Sequence, residues 1–225
     1  MCYRYRRSGR RPAGSEEVVL ARRNDHTPQD LRRLALDAAR VIAAAEGLRG
    51  LTVRRVAERI GYAPGTLYNL FDNLDALIVT LNGETLGRLG AALAAAATTA
   101  DVTARPSALV DAYFDFVEAE PQLWAVLFEH RLPEGTSLPD WYRDGLAALV
   151  DGAVAALEPV MGAWPETSRR EAVVAMWAGL HGISTLAVSG KLGLVAAGPP
   201  RQLGHLIVDR IIAAGPTADG SSTAS

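Results

Sequence analysis

The chain has 225 residues, of which 49% are hydrophobic and 21% are charged, a composition typical of a globular protein. Its one cysteine excludes a disulfide framework, a cysteine-rich zinc site and an iron–sulfur cluster. The net charge of −2 conceals an asymmetry, because residues 1–90 hold 15 basic and 10 acidic residues, whereas residues 91–225 hold 8 basic and 15 acidic ones.

A basic front and an acidic back suggest two parts with different partners. No apolar stretch follows the first arginines, so the N-terminus does not resemble a secretory signal. The longest apolar run, residues 89–97, is too short to cross a bilayer, which requires about 20 residues. We therefore expect a cytoplasmic protein with no membrane partner.

The first helix is predicted to begin after Thr27, which suits an N-cap, and to end at Gly47. Before it, residues 1–26 carry seven arginines and show no sustained period, so we expect a disordered basic arm. The apolar residues of the first helix recur at three- and four-residue spacing and predict its buried stripe. They are Leu31, Leu34, Ala35, Ala38, Val41, Ile42 and Ala45.

Two short helices follow, separated by a tight turn. Thr52 starts the first of them, and Gly61 ends it. Pro64 opens the second, which we predict over residues 64–71, and a longer helix is expected from Leu74 into the nineties. Two short helices and a tight turn packed on a third helix describe a helix-turn-helix unit.

Every periodic stretch beyond residue 100 is helical, so the fold class is predicted to be all-α. Helices are expected at 106–118, 121–129, 139–160, 167–189 and 200–214, and a disordered tail at 215–225. The composition and these elements divide the chain into the arm, a helix-turn-helix domain at 27–86, a helical bundle at 87–214 and the tail.

The helix predicted at 64–71 has two faces. Leu67 and Phe71 share the inner side, whereas Gly65, Thr66 and Asn69 fall on the opposite side, with Tyr68 on the flank. Threonine can contact a thymine methyl, asparagine can pair with adenine, and a tyrosine hydroxyl can bind phosphate. The same short helix could also be a surface turn of any helical bundle.

The segment LTVRRVAERIGYAPGTLYNLF at residues 51–71 resembles the N-terminal domain of the TetR family of transcriptional regulators. The resemblance implies an all-helical homodimer, with an N-terminal domain that binds double-stranded operator DNA and a C-terminal domain for a small-molecule effector and dimerisation. The DNA-binding residues predicted on this basis are Thr52, Arg54, Pro64, Gly65, Thr66, Tyr68 and Asn69.

Three positions depart from the family pattern. Ala63 replaces a serine that usually caps the recognition helix, while Leu70 and Leu74 replace a histidine and a lysine that usually contact phosphate. The phosphate contacts are therefore fewer or come from elsewhere, for instance from the arginines of residues 1–26. An arm without any role is the alternative. The departures also motivate a competing function, a helical ligand-binding or interaction protein with a degenerate DNA-reading head.

The sequence WAGLHG at residues 177–182, with Trp124 and Phe128, is similar to a TetR subgroup named for a Trp-His-Gly signature. Small residues in this helix would let another helix approach closely, as at a bundle interface. By analogy with the family, the last two helices would form the dimer interface. The interface residues predicted there are Gly179, Gly182, Leu203, Ile207 and Ile211.

A ligand pocket is predicted among aromatic side chains of the C-terminal domain. His181 is either a core histidine bonded to a carbonyl or a polar anchor in an apolar pocket. The large aromatic side chains that are either plain core or pocket walls are Trp124, Phe128, Trp141, Tyr142 and Trp164. The pocket residues predicted from this set and from the helix of His181 are Trp124, Phe128, Trp141, Trp177 and His181.

No catalytic, cofactor or metal site is predicted. The four histidines are scattered, and no nucleophile elbow, P-loop or dinucleotide fingerprint is present. The sequence therefore predicts a ligand-responsive DNA-binding regulator rather than an enzyme, and most simply a homodimeric repressor released from a palindromic operator by a small apolar effector.

Overall fold

The computed structural model describes residues 26–195 and 198–216. In these ranges the chain forms nine α-helices, with short 3₁₀ turns between some of them and no β-strand, so the all-α prediction is confirmed. The predicted arm, apart from His26, and nearly all of the predicted tail lie outside the described residues. The helices are α1 Pro28–Glu46, α2 Val53–Ile60, α3 Pro64–Tyr68, α4 Leu74–Thr99, α5 Arg105–Ala119, α6 Pro121–Glu129, α7 Asp140–Leu157, α8 Glu166–Val188 and α9 Pro200–Ala214.

Side chains cap three of the first four helices. The Thr27 hydroxyl accepts a hydrogen bond from the Asp30 N–H at 3.1 Å, and the Thr52 hydroxyl accepts one from the Arg55 N–H at 3.3 Å. Asn73 caps α4 by accepting from the Ala76 N–H at 2.8 Å. These bonds satisfy donors that a helix start otherwise leaves without a partner.

The N-terminal core is formed by α1 to α3, the first half of α4 and two residues of α6. The predicted stripe of α1 is wrong at Val41 and Ala45, which lie at the surface, Val41 being 48% exposed. Leu36 and Ala39 are buried instead. Since α1 contacts α2, α4 and α6, its buried face is wider than the spacing alone indicates, and it is turned away from Val41.

Helix α4 is continuous over 26 residues and joins the two halves of the chain. Near its start, Leu77 and Leu81 lie in the N-terminal core, whereas Leu89 lies in the C-terminal core. The domain boundary expected between residues 86 and 87 thus falls inside a helix that both cores share.

The C-terminal core lies among α5, α7, α8 and α9, with Trp124 of α6. The backbone of α9 approaches α5 closely at Gly204, where a Cβ would lie 2.5 Å from the Phe114 ring. Arg201 fastens the same two helices, because its guanidinium reaches Asp115 at 2.6 Å and Glu118 at 3.1 Å. This close approach fixes α9 on the bundle.

Helix α8 is long and apolar enough, by length and composition, to cross a membrane. One such helix is weak evidence, since the core helix of a water-soluble bundle passes the same test. Met176, Leu180 and Ile183 of α8 are buried in the C-terminal core. Packing in the bundle therefore accounts for its apolar character on that side.

Candidate DNA interface and ligand site

The segment that contains α3 has an exposed, mostly polar side and a buried apolar side. Leu67 and Phe71 lie in the N-terminal core, whereas Gly65 and Asn69 are exposed and Tyr68 is 58% exposed. Pro64 is also exposed, and Thr66 is half-buried. The residues on the buried side and those on the outer side of this segment are thus the ones that the helical spacing of the sequence predicts.

The turn before α3 is built by Gly61. Its φ of +77° places it in the left-handed region, which glycine adopts without the strain that a Cβ causes. The α-helix that follows ends at Tyr68, three residues earlier than predicted. The N–H groups of Asn69 and Leu70 donate to carbonyls only three residues back, so the helix ends in a tighter turn. Asn69 remains at the exposed end of this turn.

Arg32 of α1 holds the end of residues 64–71, which we call the reading segment because the sequence analysis predicts that it contacts DNA bases. Its guanidinium donates to the Leu70 carbonyl at 2.5 Å and lies 4.2 Å from the centre of the Phe71 ring. Leu70 and Leu74 are partly buried against the N-terminal core. These two apolar side chains are thus packed against the protein, at positions where the family resemblance implies residues that contact phosphate.

Thr52 and Arg54 lie at the start of α2, at the surface. The Thr52 hydroxyl serves as the N-cap, and the neighbouring Arg55 is committed to Glu46, which it contacts at 2.6 Å. Arg54 makes no ion pair with any of the described residues, so its guanidinium can reach a phosphate without breaking an internal contact. Ala63 gives α3 no side-chain cap, as predicted.

Four of the five predicted pocket residues meet in one aromatic cluster, which we define as Trp124, Phe128, Trp177 and His181. The centre of the His181 ring lies 3.6 Å from the centre of the Phe128 ring and 5.8 Å from that of the Trp177 ring, on which it is stacked. Trp124 is buried and packs edge-on against Phe128 at 5.2 Å. Helices α6 and α8 therefore position this cluster between them.

Trp141 does not belong to the aromatic cluster. It begins α7 and lies on α4 at Gly83, where a Cβ would come within 2.5 Å of the indole. Trp141 also lines an open cleft of about 500 Å³, whose wall includes Arg32, Asp75 and Thr80. Sequence spacing could not separate Trp141 from the other aromatic residues, because their grouping depends on tertiary contacts.

Among the described residues, the His181 ring has one hydrogen-bond partner. Its Nε2 lies 3.3 Å from the Thr185 hydroxyl, whereas its buried Nδ1 has no hydrogen-bond partner among the described residues. Burial lowers the pKa of His181, so the ring is neutral at physiological pH. The expected bond to a backbone carbonyl is not present among these contacts, and both the core role and the anchor role of His181 remain predictions.

An apolar space adjoins the aromatic cluster. It measures about 70 Å³ and is lined by Trp177 with Leu109, Met176 and Leu180. This volume is small beside the roughly 300–1,000 Å³ of ordinary ligand pockets. The space would have to widen before it accepted a sizeable effector.

The predicted interface residues face two directions. Gly179 lies against Ile207 of the same chain, since a Cβ at Gly179 would sit 3.1 Å from that side chain, and Leu203 and Ile211 also pack on the C-terminal core. Gly182 opens onto the surface. The exposed apolar residues of α8 and α9 are Val174, Leu186, Val188 and Leu206, of which the sequence analysis missed the three in α8.

Helix α6 contributes to both cores, which the sequence analysis also missed. Leu123 and Val126 are fully buried in the N-terminal core, and Trp124 is buried in the C-terminal core. At its end, His130 Nε2 lies 2.8 Å from Asp75 in the first turn of α4. The alternation of large apolar residues around α6 was visible in sequence, but its division between two cores was not.

Two family models match the chain in succession. The model described as "Bacterial regulatory proteins, tetR family" matches residues 35–81, and the model "Tetracyclin repressor-like, C-terminal domain" matches residues 107–211. The chain belongs to the TetR family. Its members are DNA-binding transcriptional regulators, not enzymes, as predicted. The Trp-His-Gly subgroup stays a prediction.

Known relatives agree with this membership. The chain is 31% identical over 127 residues to the HTH-type transcriptional activator FasR of Mycolicibacterium smegmatis, a match that covers 56% of each protein. The chain thus matches little more than half the length of that relative. Among solved structures, it is similar to a Rhodococcus sp. RHA1 protein of unknown function (25% identity, TM-score 0.69, covering 87% of this chain and 99% of that one). It also shares its fold with the fatty acid degradation regulator FadR of Bacillus halodurans (21% identity, TM-score 0.62, covering 81% and 94%).

Proposed function

We propose that this TetR-family protein is a homodimeric repressor that binds a palindromic operator and leaves it when a small apolar effector binds the C-terminal domain. Each subunit would place α3 in a major groove. The two half-sites would then lie about one helical turn, near 34 Å, apart.

The observation that carries the proposal is the outer face of α3. Gly65, Tyr68 and Asn69 are exposed, while Leu67 and Phe71 anchor the same segment in a buried core. Asparagine can bond adenine through two hydrogen bonds, and a backbone without a side chain at Gly65 can approach phosphate closely. Sequence-specific binding requires exposed side chains that can contact the edges of the DNA bases, on a helix that a packed core holds in place.

The charge distribution supports DNA as the partner. Arg54 lies at the surface in the first turn of α2, without an internal ion pair among the described residues. Lysine and arginine contacts to phosphate supply most of the affinity for DNA of any sequence. The basic front of the chain therefore favours nucleic acid as the partner of this half.

The position of α6 supports control by a ligand. This helix supplies Trp124 and Phe128 to the aromatic cluster and Leu123 to the core under α3. A molecule that displaces aromatic side chains on one side of α6 would shift the opposite side as well. Such a shift would favour a spacing of the two reading segments that no longer fits the operator.

The exposed apolar residues of α8 and α9 support self-association. Val174, Leu186 and Leu206 lie at the surface of a single chain, on the two helices that the family resemblance assigns to the dimer. A second copy packed on this face would bury them and complete a four-helix bundle.

The test is a fluorescence-anisotropy titration of the purified protein with the DNA that flanks its own gene. We expect a dissociation constant of about 10⁻⁸ M or lower, at least about a thousandfold tighter than for random DNA at the same salt concentration. Equal affinities would favour the competing function, a ligand-binding or interaction protein with a degenerate reading head, which Ala63, Leu70 and Leu74 motivate.

The sign of regulation needs a separate measurement. FasR is named an activator, so similarity to known relatives does not determine whether this protein activates or represses. A promoter–reporter assay with and without the protein separates the two outcomes. Expression that falls when the protein is present would support repression, and expression that rises would overturn it.

A further inference from the structure

The C-terminal end of the reading segment is tied to distant parts of the chain by one side chain. Arg32 lies near the start of α1, and its guanidinium donates to the Leu70 carbonyl at 2.5 Å. A second nitrogen of the same guanidinium lies 3.5 Å from the Thr80 hydroxyl in α4. Arg32 therefore joins α1 and α4 to the reading segment at the point where that segment passes into α4.

The Leu70 carbonyl depends on this contact. It accepts no other hydrogen bond from the described residues. Carbonyls at the end of a helix have no partner within the helix, and arginine side chains can satisfy them. Arg32 thus pairs a carbonyl that the end of the reading segment would otherwise leave to water.

The guanidinium of Arg32 also lies over the ring of Phe71, 4.2 Å from its centre. Phe71 is only 4% exposed and belongs to the N-terminal core. A planar guanidinium stacks on an aromatic ring, and its rigid fork fixes the direction of its hydrogen bonds. Two different contacts, one to a backbone carbonyl and one to a buried ring, therefore hold the last two residues of the reading segment.

Asn69 is the exposed polar residue next to these contacts. It directly precedes Leu70, in the tighter turn that ends α3. The two hydrogen bonds between an asparagine amide and adenine depend steeply on distance and angle, whereas the attraction between arginine and phosphate falls off slowly with distance. A small movement at the end of the reading segment would therefore cost base contacts while leaving the attraction to phosphate nearly unchanged.

We propose that Arg32 is a positioning residue that determines the base specificity of the reading segment without contacting a base itself. It would hold residues 69–71 in the orientation from which the Asn69 amide meets a base edge. This inference rests on the proposed function, because it assumes that the reading segment enters the major groove.

The adjacent Arg33 provides a matched control. Both arginines are exposed residues of α1, so replacing either one by methionine removes the same charge from the same turn of the helix. Arg33 forms only a long ion pair with Asp30, at 3.6 Å, and its side chain is 73% exposed. Such exposed pairs contribute little to stability. Methionine keeps a long, unbranched side chain with a high helix propensity.

Anisotropy titrations of Arg32→Met and Arg33→Met on operator and on random DNA, at one salt concentration, test the proposal. We expect Arg33→Met to weaken binding to both DNAs by the same factor, within about twofold, because only a charge is lost. Arg32→Met should affect random DNA as Arg33→Met does, but should weaken operator binding at least about tenfold more. An operator-to-random affinity ratio that falls equally in the two variants, or in neither, would overturn the proposal.

Amide hydrogen exchange in the free protein provides a readout that a general loss of stability would not reproduce. The Phe71 N–H donates to the Leu67 carbonyl at 2.8 Å, so its exchange rate reports on the end of the reading segment. We expect this rate to rise at least about tenfold in Arg32→Met, while the amide of Leu180 in the C-terminal core keeps its wild-type rate. An unchanged rate at Phe71, or an equal rise at both amides, would contradict a positioning role.

Should Arg32→Met not fold, Arg32→Lys takes its place. Lysine keeps the charge and a donor but lacks the planar group that lies over Phe71. Its affinity for random DNA should stay within about twofold of wild type, whereas the operator-to-random ratio should still fall. A wild-type ratio in Arg32→Lys would refute the need for the guanidinium.

The two measurements separate this inference from the proposed function. If the wild-type protein does not prefer the operator, the proposed function fails and the specificity role fails with it, whereas the exchange rates still show whether Arg32 holds the reading segment. If the wild-type protein prefers the operator and the two variants lose that preference equally, the proposed function stands and the role of Arg32 is wrong.

Discussion

The two cores of this protein are built differently. The N-terminal core is aliphatic apart from Phe71, and three of the five helices that contribute to it are capped by a side chain. The C-terminal core contains tryptophan, tyrosine and phenylalanine, and α5 to α9 start without a side-chain cap bond.

Buried side-chain polar atoms without a hydrogen-bond partner among the described residues are fewer at the N-terminal end. Arg40 Nε is the one such atom in α1 to α3, Asn82 Oδ1 lies in α4, and Arg105, Trp124, Arg169 and His181 leave one each in the C-terminal helices. A polar group with unmet hydrogen-bonding capacity gains free energy when a ligand meets it. On the proposed function, this contrast suits a helix-turn-helix unit that keeps one shape and a bundle that adapts to a ligand.

The largest effect on stability should come from weakening the packing of α6, the helix that contributes side chains to both cores. Leu123→Ala removes a fully buried side chain through which α6 enters the N-terminal core, so we expect a loss of about 2–5 kcal/mol in the free energy of unfolding. Urea denaturation followed by circular dichroism measures it. Leu194→Ala, at a position that is 83% exposed, is the control and should change stability little. Equal losses would mean that α6 does not support the reading head.

The next effect concerns the reading face. Thr66→Ala and Asn69→Ala should each weaken operator binding by about 1–3 kcal/mol and leave binding to random DNA nearly unchanged, because base contacts carry specificity. Anisotropy titrations on both DNAs test this. Thr98→Ala, at the far end of α4, is the matched control. Losses of the same size on both DNAs would remove these residues from base reading.

A missing cap can be restored in the reading head. Ala63 has an extended backbone (φ −73°, ψ 149°) suited to an N-cap but offers no acceptor, so Ala63→Ser should stabilise the protein by about 1 kcal/mol. Thr52→Ala should cost a similar amount at the start of α2. Thermal unfolding of both variants gives the comparison. A destabilising Ala63→Ser would show that α3 does not tolerate a capped start.

The smallest effect is a pH dependence in the sensing half. The pKa of His181 is lowered by burial, so between that lowered value and the ordinary value near 6.5 the unfolded chain binds a proton that the folded chain does not. Stability should therefore fall as the pH drops below about 6.5. In His181→Phe this part of the fall should disappear. Identical Tm profiles of the two proteins between pH 5 and 7.5 would contradict the buried neutral ring.

Local signals were sufficient for most helix boundaries. Thr27, Thr52 and Gly61 act through hydrogen bonds and backbone angles within a few residues, so their roles as caps and stops could be predicted from neighbours in sequence. The two faces of α3 could be predicted for the same reason. Their binding role follows only from family membership and stays to be measured.

Contacts between distant segments could not be predicted in this way. The apolar spacing of α1 predicts that Val41 is buried, but Val41 is exposed. Which side of α1 is buried depends on where α2, α4 and α6 pack against it, and the sequence alone does not give those positions. Trp141 was grouped with Trp124 on side-chain type alone.

The length of α4 has a mechanical consequence. Its 26 residues span about 39 Å as one rigid rod, with the contact between His130 and Asp75 at one end and the apolar bundle along the rest. A tilt of about 5° would displace its N-terminal tip, which lies in the N-terminal core, by roughly 3 Å, comparable to the rise of one base pair. On the proposed function, small rearrangements among the bundle side chains would thereby be magnified into a mismatch of register on the double helix, without any helix having to melt.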